Sequence, residues 1–355
     1  MLSGLSRVER VLLAAVALSI ALAGVARYAS GFPHVLAFAL ATIALAGDAW
    51  IVSFASEQVG HRFGPSITGL MQSTVGNLPE FFVVIFALGA GQKIVAETAI
   101  LGSILVNALL VLGLVIIAGA RRERDGVMRF SARLPNDTAT LLLISSFIIV
   151  LVALANSAQD AASRHIQAIS IVGAVAILIV YGAWLRQYLK AGPTTGESDE
   201  KPRLSTASAV ALLVLAGTAS AFVSDWFVHA LQPTIHTLHI SQAFAGLVIV
   251  AIAGNAVENV AGIVLAAKGQ PELAISIVKN SVAQIAAFLY PLLVIVSVLT
   301  ATTLTFALAP VYTGALLGTA VIVWQITGDG EATVFEGTAL IAAFVILATV
   351  AAFES

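Results

Sequence analysis

Two short stretches hold the residues with chemistry to offer. Asn77 and Glu80 lie in "STVGNLPEFFVVIFALGAGQ", which starts at Ser73; Asn255 and Glu258 lie in "IAGNAVENVAGIVLAAKGQ", which starts at Ile252. In each, amide and carboxylate are three residues apart, so on a helix they share a face. Gly76 and Gly254 permit a helix break or a close approach, and Pro79 removes a backbone donor. Backbone carbonyls freed by such breaks are tolerated in a membrane where they line a cavity. Two carboxylates, two amide oxygens and freed carbonyls make a hard, oxygen-only ligand set. It suits Ca2+ or another hard cation and not a soft metal. Two Glu side chains sharing one site cannot both stay ionised without a cation between them. Cation and protons then compete for the site, which is sufficient for antiport. One such Glu reads almost as easily as a structural hydrogen-bonding residue; two at matching places do not.

These residues must be positioned by membrane helices. Of 355 residues, 59% are hydrophobic and 10% are charged, and the mean hydropathy is +1.00. A soluble globular chain is about 25% charged. Apolar runs of about 20 residues recur from end to end, the pattern of a multi-pass helical membrane protein. Eleven spans are predicted, near 10–28, 34–55, 65–90, 94–119, 137–155, 166–189, 204–228, 241–267, 271–299, 302–325 and 333–353. The first, with Arg7 and Arg10 before it, also has the form of a signal peptide; it is read as a retained helix. The net charge of −2 says little about partners; no basic block is fit for nucleic acid, and the absence of cysteine excludes thiolate metal sites.

The two stretches are copies. Displacing the chain on itself by 178 residues brings Gly76 onto Gly254, Asn77 onto Asn255, Glu80 onto Glu258, Gly91-Gln92 onto Gly269-Gln270 and Ser103 onto Ser281, without a gap. The polar stretch "GPTTGESDEKPR" divides the later spans into five and five. Five spans per copy invert the second relative to the first, the build of a secondary transporter with its site at the repeat interface. The predicted organisation is an N-terminal helix (1–30), a first repeat (31–191), a cytoplasmic linker (192–203) and a second repeat (204–355). With the N-terminus in the cytoplasm, thirteen Lys and Arg fall on that side and three, Arg27, Lys93 and Arg164, on the other. The bias places the C-terminus outside. Transporter rather than channel is favoured because pores are normally lined by rings of ligands. No H-E-x-x-H or G-x-S-x-G speaks for an enzyme. No cofactor is called for beyond the transported ions.

Five ordered segments resemble the cation/proton exchanger family of the calcium/cation antiporter superfamily. "FGPSITGLMQSTVGNLPEFFVVIFAL" (from Phe63) looks like that family's first signature helix, and "GQKIVAETAILGSILVNALLVLG" (from Gly91) like the next. "GLVIVAIAGNAVEN" (from Gly246) and "SVAQIAAFLYPLLV" (from Ser281) are similar to the second-repeat counterparts, and "GDGEATVFEG" (from Gly328) to the last inter-helix turn. The resemblance implies one helix plus two inverted sets of five, as in sodium/calcium exchanger-like folds. It implies Ca2+ export from the cytoplasm, driven by proton entry, across what would be a bacterial plasma membrane. It implies a cation site at Glu80 and Glu258, helped by Asn77 and Asn255. Ser103, Asn107, Ser281 and Gln284 would be secondary ligands or proton-path residues, with Gln72 and Asp48 as further candidates. Exchange of Na+ or K+ for H+ or Ca2+ is the alternative.

The chain departs from the family pattern at three places. Asn259 stands where His usually follows the second Glu, and it cannot titrate. Gln72-Ser73-Thr74 replaces Asn-Ala-Thr. Asn280-Ser281-Val282 replaces Gly-Ser-Ser, with Lys279 before it. Elsewhere, His229, His236 and His239 read as solvated residues of an outer loop. Asp225 reads as close to a helix end, and Glu57, His61 and Arg62 as polar packing at a cytoplasmic edge. Asp329, Glu331 and Glu336 form an acidic turn, solvated or drawing cations to the mouth. Arg121, Arg122, Arg124, Arg129 and Arg133 need only the positive-inside rule and anionic lipid. Lys279 either snorkels to the membrane edge or is an internal cation paired with Glu258 or Glu80. The second reading predicts that Lys279 lowers Ca2+ affinity. Lys279→Ala then lowers the Ca2+ concentration giving half-maximal transport, and an unchanged value would sink the idea.

Overall fold

A computed structural model describes residues 5–60, 75–190 and 203–354. Among these residues the chain is almost wholly helical. We number the helices α1 (Arg7–Tyr28), α2 (His34–Gly60), α3 (Leu78–Gly89), α4 (Lys93–Ala120), α5 (Arg133–Ser157) and α6 (Ile166–Lys190). The second half adds α7 (Thr206–Leu238), α8 (Gln242–Gly254), α9 (Ala256–Ala267), α10 (Pro271–Leu299), α11 (Pro310–Thr327) and α12 (Val334–Ala352). Nine helices among the described residues are long and apolar enough to cross a membrane, and α8 with α9 makes a tenth, bent span. α3 is the described part of the third predicted span; Gln72, His61, Arg62 and most of the 192–203 linker lie outside the described residues.

Contacts between helix ends agree with strict alternation of the spans. At one end Arg203 pairs with Glu9, its backbone N–H donates to Gln58 Oε1 (2.7 Å), and Arg122 Nη1 donates to the Ala267 carbonyl (3.0 Å). At the other end Thr234 donates to the His34 carbonyl (3.3 Å), Gln92 Nε2 donates to Gln232 Oε1 (3.3 Å), and Ser241 donates to the Ala351 carbonyl.

Four features were not expected from the sequence. First, the loops after α4 and α11 form a two-stranded antiparallel ribbon, β1 (Val127–Arg129) with β2 (Glu331–Thr333). Arg129 there bonds Asp125 (2.7 Å) and Glu331 (3.2 Å), and the guanidinium holds the Asp125 carboxyl below its usual range. The acidic turn thus has local partners: Asp329 accepts from the Glu331 N–H (3.0 Å) and Glu336 closes a capping box with Thr333 at the start of α12. Second, α7 runs through to Leu238, so Asp225, His229 and His236 are helical and His239 caps the end at φ 54°. Pro233 lies inside the helix; Thr237 Oγ1 donates to its carbonyl (2.8 Å), and the His239 N–H donates to that of Ile235. Third, α2 extends to Gly60 and includes Glu57. Fourth, π-helical turns interrupt α4 at Val106–Val111 and α10 at Ile285–Leu289, equivalent places in the two halves.

The halves are joined through glycine. A Cβ on Gly113 of α4 would lie 2.6 Å from the Gly337 carbonyl of α12, and one on Gly337 would lie 2.7 Å from the Gly113 carbonyl. Likewise a Cβ on Gly102 would lie 2.3 Å from the Leu247 carbonyl of α8. Small residues let helix backbones meet in this way, and within lipid such packing replaces the missing hydrophobic drive. Gly113→Val and Gly337→Val should each destabilise the folded protein by roughly 1–3 kcal/mol through overpacking. Because the two glycines touch, the double variant should cost less than the sum. Thermal unfolding in detergent checks both statements; additive losses would contradict the shared contact.

Candidate cation site

Both signature helices break at asparagine. Asn77 (φ −84°, ψ 10°) precedes α3 and Asn255 (φ −96°, ψ 16°) precedes α9, each leaving the helical region in the same way. At Asn255 the axis turns by 59° between Gln242–Gly254 and Asn259–Ala267. Such a break exposes N–H groups at the start of the second half-helix. Glu80 is the third residue of α3 and Glu258 the third residue of α9. A carboxylate in the first turn also meets the positive end of the helix dipole.

The site is assembled across the halves. Glu80 is buried, and its Oε1 lies 2.8 Å from where a Cβ on Gly254 would stand. Any side chain at Gly254 would displace the carboxylate, which explains a glycine directly before Asn255. Asn255, wholly buried, is held by α4 of the first half. Its Nδ2 donates to Ser103 Oγ (2.9 Å) and to the Ala251 carbonyl (3.0 Å), while its Oδ1 accepts from Asn107 Nδ2 (3.0 Å). Asn107 also donates to the Ser103 carbonyl (2.9 Å). Asn77, Ser281 and Gln284 are buried as well. Among the described residues, Asn107 Oδ1, Ser281 Oγ and Gln284 Oε1 are buried without a hydrogen-bond partner. Buried polar atoms are normally satisfied, so such oxygens call for an explanation. Their chemistry, neutral and oxygen-only, fits a hard cation. No three His, Cys, Asp or Glu side chains converge among the described residues.

The two outlying candidates have specific neighbours. Asp48 of α2 is fully buried and accepts a hydrogen bond from Ser220 of α7, while its Oδ1 has no partner among the described residues. One turn further along α7, Ser224 donates to the carbonyl of Pro79 (3.3 Å), the residue before Glu80. Asp48 is thus tied to the same helix that touches the start of α3. Ser220 and Ser224 were not singled out in the sequence; serines four apart on an apolar helix were the available signal. Lys279 is buried, and its Nζ donates to Thr327 Oγ1 (3.1 Å) at the end of α11. The bond reaches towards the end of the bundle where α10 begins, and among the described residues no ion pair joins Lys279 to Glu80.

Known proteins share this fold. The chain is 31% identical over 320 residues to a vacuolar calcium ion transporter of Schizosaccharomyces pombe, covering 87% of this chain and 77% of that one. It is also 31% identical over 324 residues to the Ca(2+)/H(+) antiporter ChaA of Bacillus subtilis, covering 89% of this chain and 92% of that one. The structure of native YfkE superimposes with a TM-score of 0.80 at 26% identity, covering 96% of this chain and 99% of that one. The profile of the sodium/calcium exchanger protein family matches residues 33–186 and 208–353, one match around each broken helix. A match that covers both halves, over most of the length of each, makes this chain a member of the sodium/calcium exchanger protein family.

Proposed function

We propose that the protein is a secondary antiporter that moves Ca2+ out of the cytoplasm in exchange for protons. The observation that carries this reading is the buried Glu80 carboxylate packed on Gly254 of the opposite half, beside Asn255, whose amide bonds Ser103 and Asn107. Relatives named as Ca2+/H+ antiporters support it. Glu80 and Glu258 are the two anionic ligands, Asn77 and Asn255 add amide oxygens, and Ser103, Asn107, Ser281 and Gln284 complete the surroundings. When Ca2+ leaves, like charges brought together in a dry bundle take up protons; when Ca2+ enters, it expels them. Only one ligand class fits at a time, so exchange needs no further coupling device. Alternating access follows from one half moving against the other about this site.

The positive-inside bias supports an N-terminus in the cytoplasm and a C-terminus outside, in a plasma membrane. Asn259 and Lys279 near the second copy keep exchange of Na+ or K+ as the second reading, because both depart from the family pattern on which the choice of Ca2+ rests.

Reconstituted vesicles carrying a pH gradient separate these readings when Ca2+, Na+, K+ or Mn2+ is added in turn. Ca2+ should collapse the gradient in the native protein. Glu80→Gln and Glu258→Gln should each reduce that rate to the level of empty vesicles, since each leaves the site with a single carboxylate. Proton movement driven by Na+ or K+ alone would favour the second reading, and no cation-dependent movement would refute both.

A further inference from the structure

α1 lies outside the two repeats, yet it helps to enclose a cavity of about 470 Å3 with α2 and α7. The cavity is lined by Arg27 in the last turn of α1, His34 at the start of α2, and Trp226 and His229 of α7, over a floor that includes Ala37 and Ala41. Two nitrogen donors on its wall are buried and without a hydrogen-bond partner among the described residues: Arg27 Nε and Trp226 Nε1. A buried indole N–H ordinarily finds an acceptor. No carboxylate is among the lining residues described. The cavity therefore presents a positive charge, an unmatched indole N–H and two imidazoles, with no carboxylate among its lining residues.

Its position separates it from the cation site. Ser220 and Ser224 of α7 face Asp48 and Pro79. At 3.6 residues per turn, Trp226 and His229 lie on the far side of the same helix. Trp226 is fixed there by α1: its ring edge is 3.0 Å from where a Cβ on Gly24 would stand, and Tyr28 packs on it edge-on at 6.4 Å. Tyr28 in turn receives the Arg27 guanidinium 5.3 Å from its ring centre. The dipole of α1 favours a cation at Arg27, but it leaves the unmatched indole donor unexplained. Arg27 also stands at the end of the bundle where basic residues are scarce, so the positive-inside rule does not account for it.

We propose that this cavity binds a phosphate-class anion, held by Arg27 and Trp226 and bordered by His34 and His229. Arginine recognises phosphate oxygens by charge-assisted hydrogen bonds, and its Nε–H is one of the donors it offers. The apolar alanine floor beside a cationic rim matches the join between a lipid headgroup and its acyl chains, and free inorganic phosphate shares the headgroup's chemistry. The occupant would bridge α1 to α2 and α7 and so fasten the extra helix to the repeats. The proposal does not depend on which cation is transported.

The test uses the full-length protein with two probes. In one arm, the protein in neutral detergent is titrated with inorganic phosphate and its thermal unfolding followed. In the other, it is placed in phosphatidylcholine nanodiscs containing phosphatidylglycerol, and the lipid retained after extraction is counted by native mass spectrometry. The native protein should bind one of the two probes. Arg27→Gln and Trp226→Phe should each weaken that binding about tenfold or more, as loss of a hydrogen bond to a charged group does. Trp226→Phe keeps the packing on Gly24 and removes only the donor, so its effect is not one of misfolding. Binding in the first arm identifies a free anion, and binding in the second identifies a lipid. Absence of binding in both arms, or equal binding by native protein and both variants, would overturn the proposal.

Discussion

The structure turns on the cost of placing a carboxylate inside an apolar bundle. Glu80 sits among helices whose other buried residues are mostly alanine, valine, leucine and isoleucine. An ionised group there is tolerated only beside other polar groups or a cation. The chain meets this by bringing the broken helix of each half to the middle of the other. Glu80 reaches Gly254, and Asn255 reaches Ser103 and Asn107. Neither half holds the whole polar shell.

That exchange of contacts requires backbones to come closer than ordinary side chains allow. Gly113 and Gly337 face each other across α4 and α12, and Gly102 receives the Leu247 carbonyl. α4 is thus wedged between two helices of the second half, and it also supplies Ser103 and Asn107. The π-helical turn at Val106–Val111 follows from the same demand. A single inserted residue rotates the polar positions that follow it relative to those before it. The matching turn at Ile285–Leu289 in α10 does this beside Ser281 and Gln284. The two halves are nonetheless not identical in hydrogen bonding. Ser103 Oγ accepts from Asn255, whereas its counterpart Ser281 Oγ has no partner among the described residues.

How much of this was legible in the sequence depends on the range of each interaction. The spans, the repeat and the Asn–Glu pairs were readable because apolar runs, glycine and paired polar residues leave marks at fixed spacing. The breaks at Asn77 and Asn255 were foreshadowed by Gly76, Pro79 and Gly254. The length of α7 was not, since the histidines after Val228 read as an outer loop. The π-helical turns at Val106–Val111 and Ile285–Leu289 leave no pattern in the sequence. The ribbon of β1 and β2 was equally silent, because three-residue strands gain their order from each other, some 200 residues apart. Asp48 was recognisable as a buried acid, whereas Ser220, its donor on α7, belonged to the other half and carried no mark.

Lys279 shows where a local reading stops short. As a cation in an apolar helix it invited a search for a carboxylate. Its partner is instead the hydroxyl of Thr327, the last residue of α11, which itself donates to the Val323 carbonyl (2.7 Å). The free carbonyls that end a helix carry a partial negative charge, so the ammonium rests against a dipole rather than an acid. A dipole does not neutralise the charge. A charge carried by Lys279, two residues from Ser281, would lie in a region where screening is weak. Coulomb repulsion scales with the charge of the approaching ion, so a divalent cation is opposed twice as strongly as a monovalent one at the same place. On the proposed reading, the oxygens near Asn255 would favour Ca2+ and a charge on Lys279 would oppose it, so the preference of the site would be set by their difference rather than by its ligands alone.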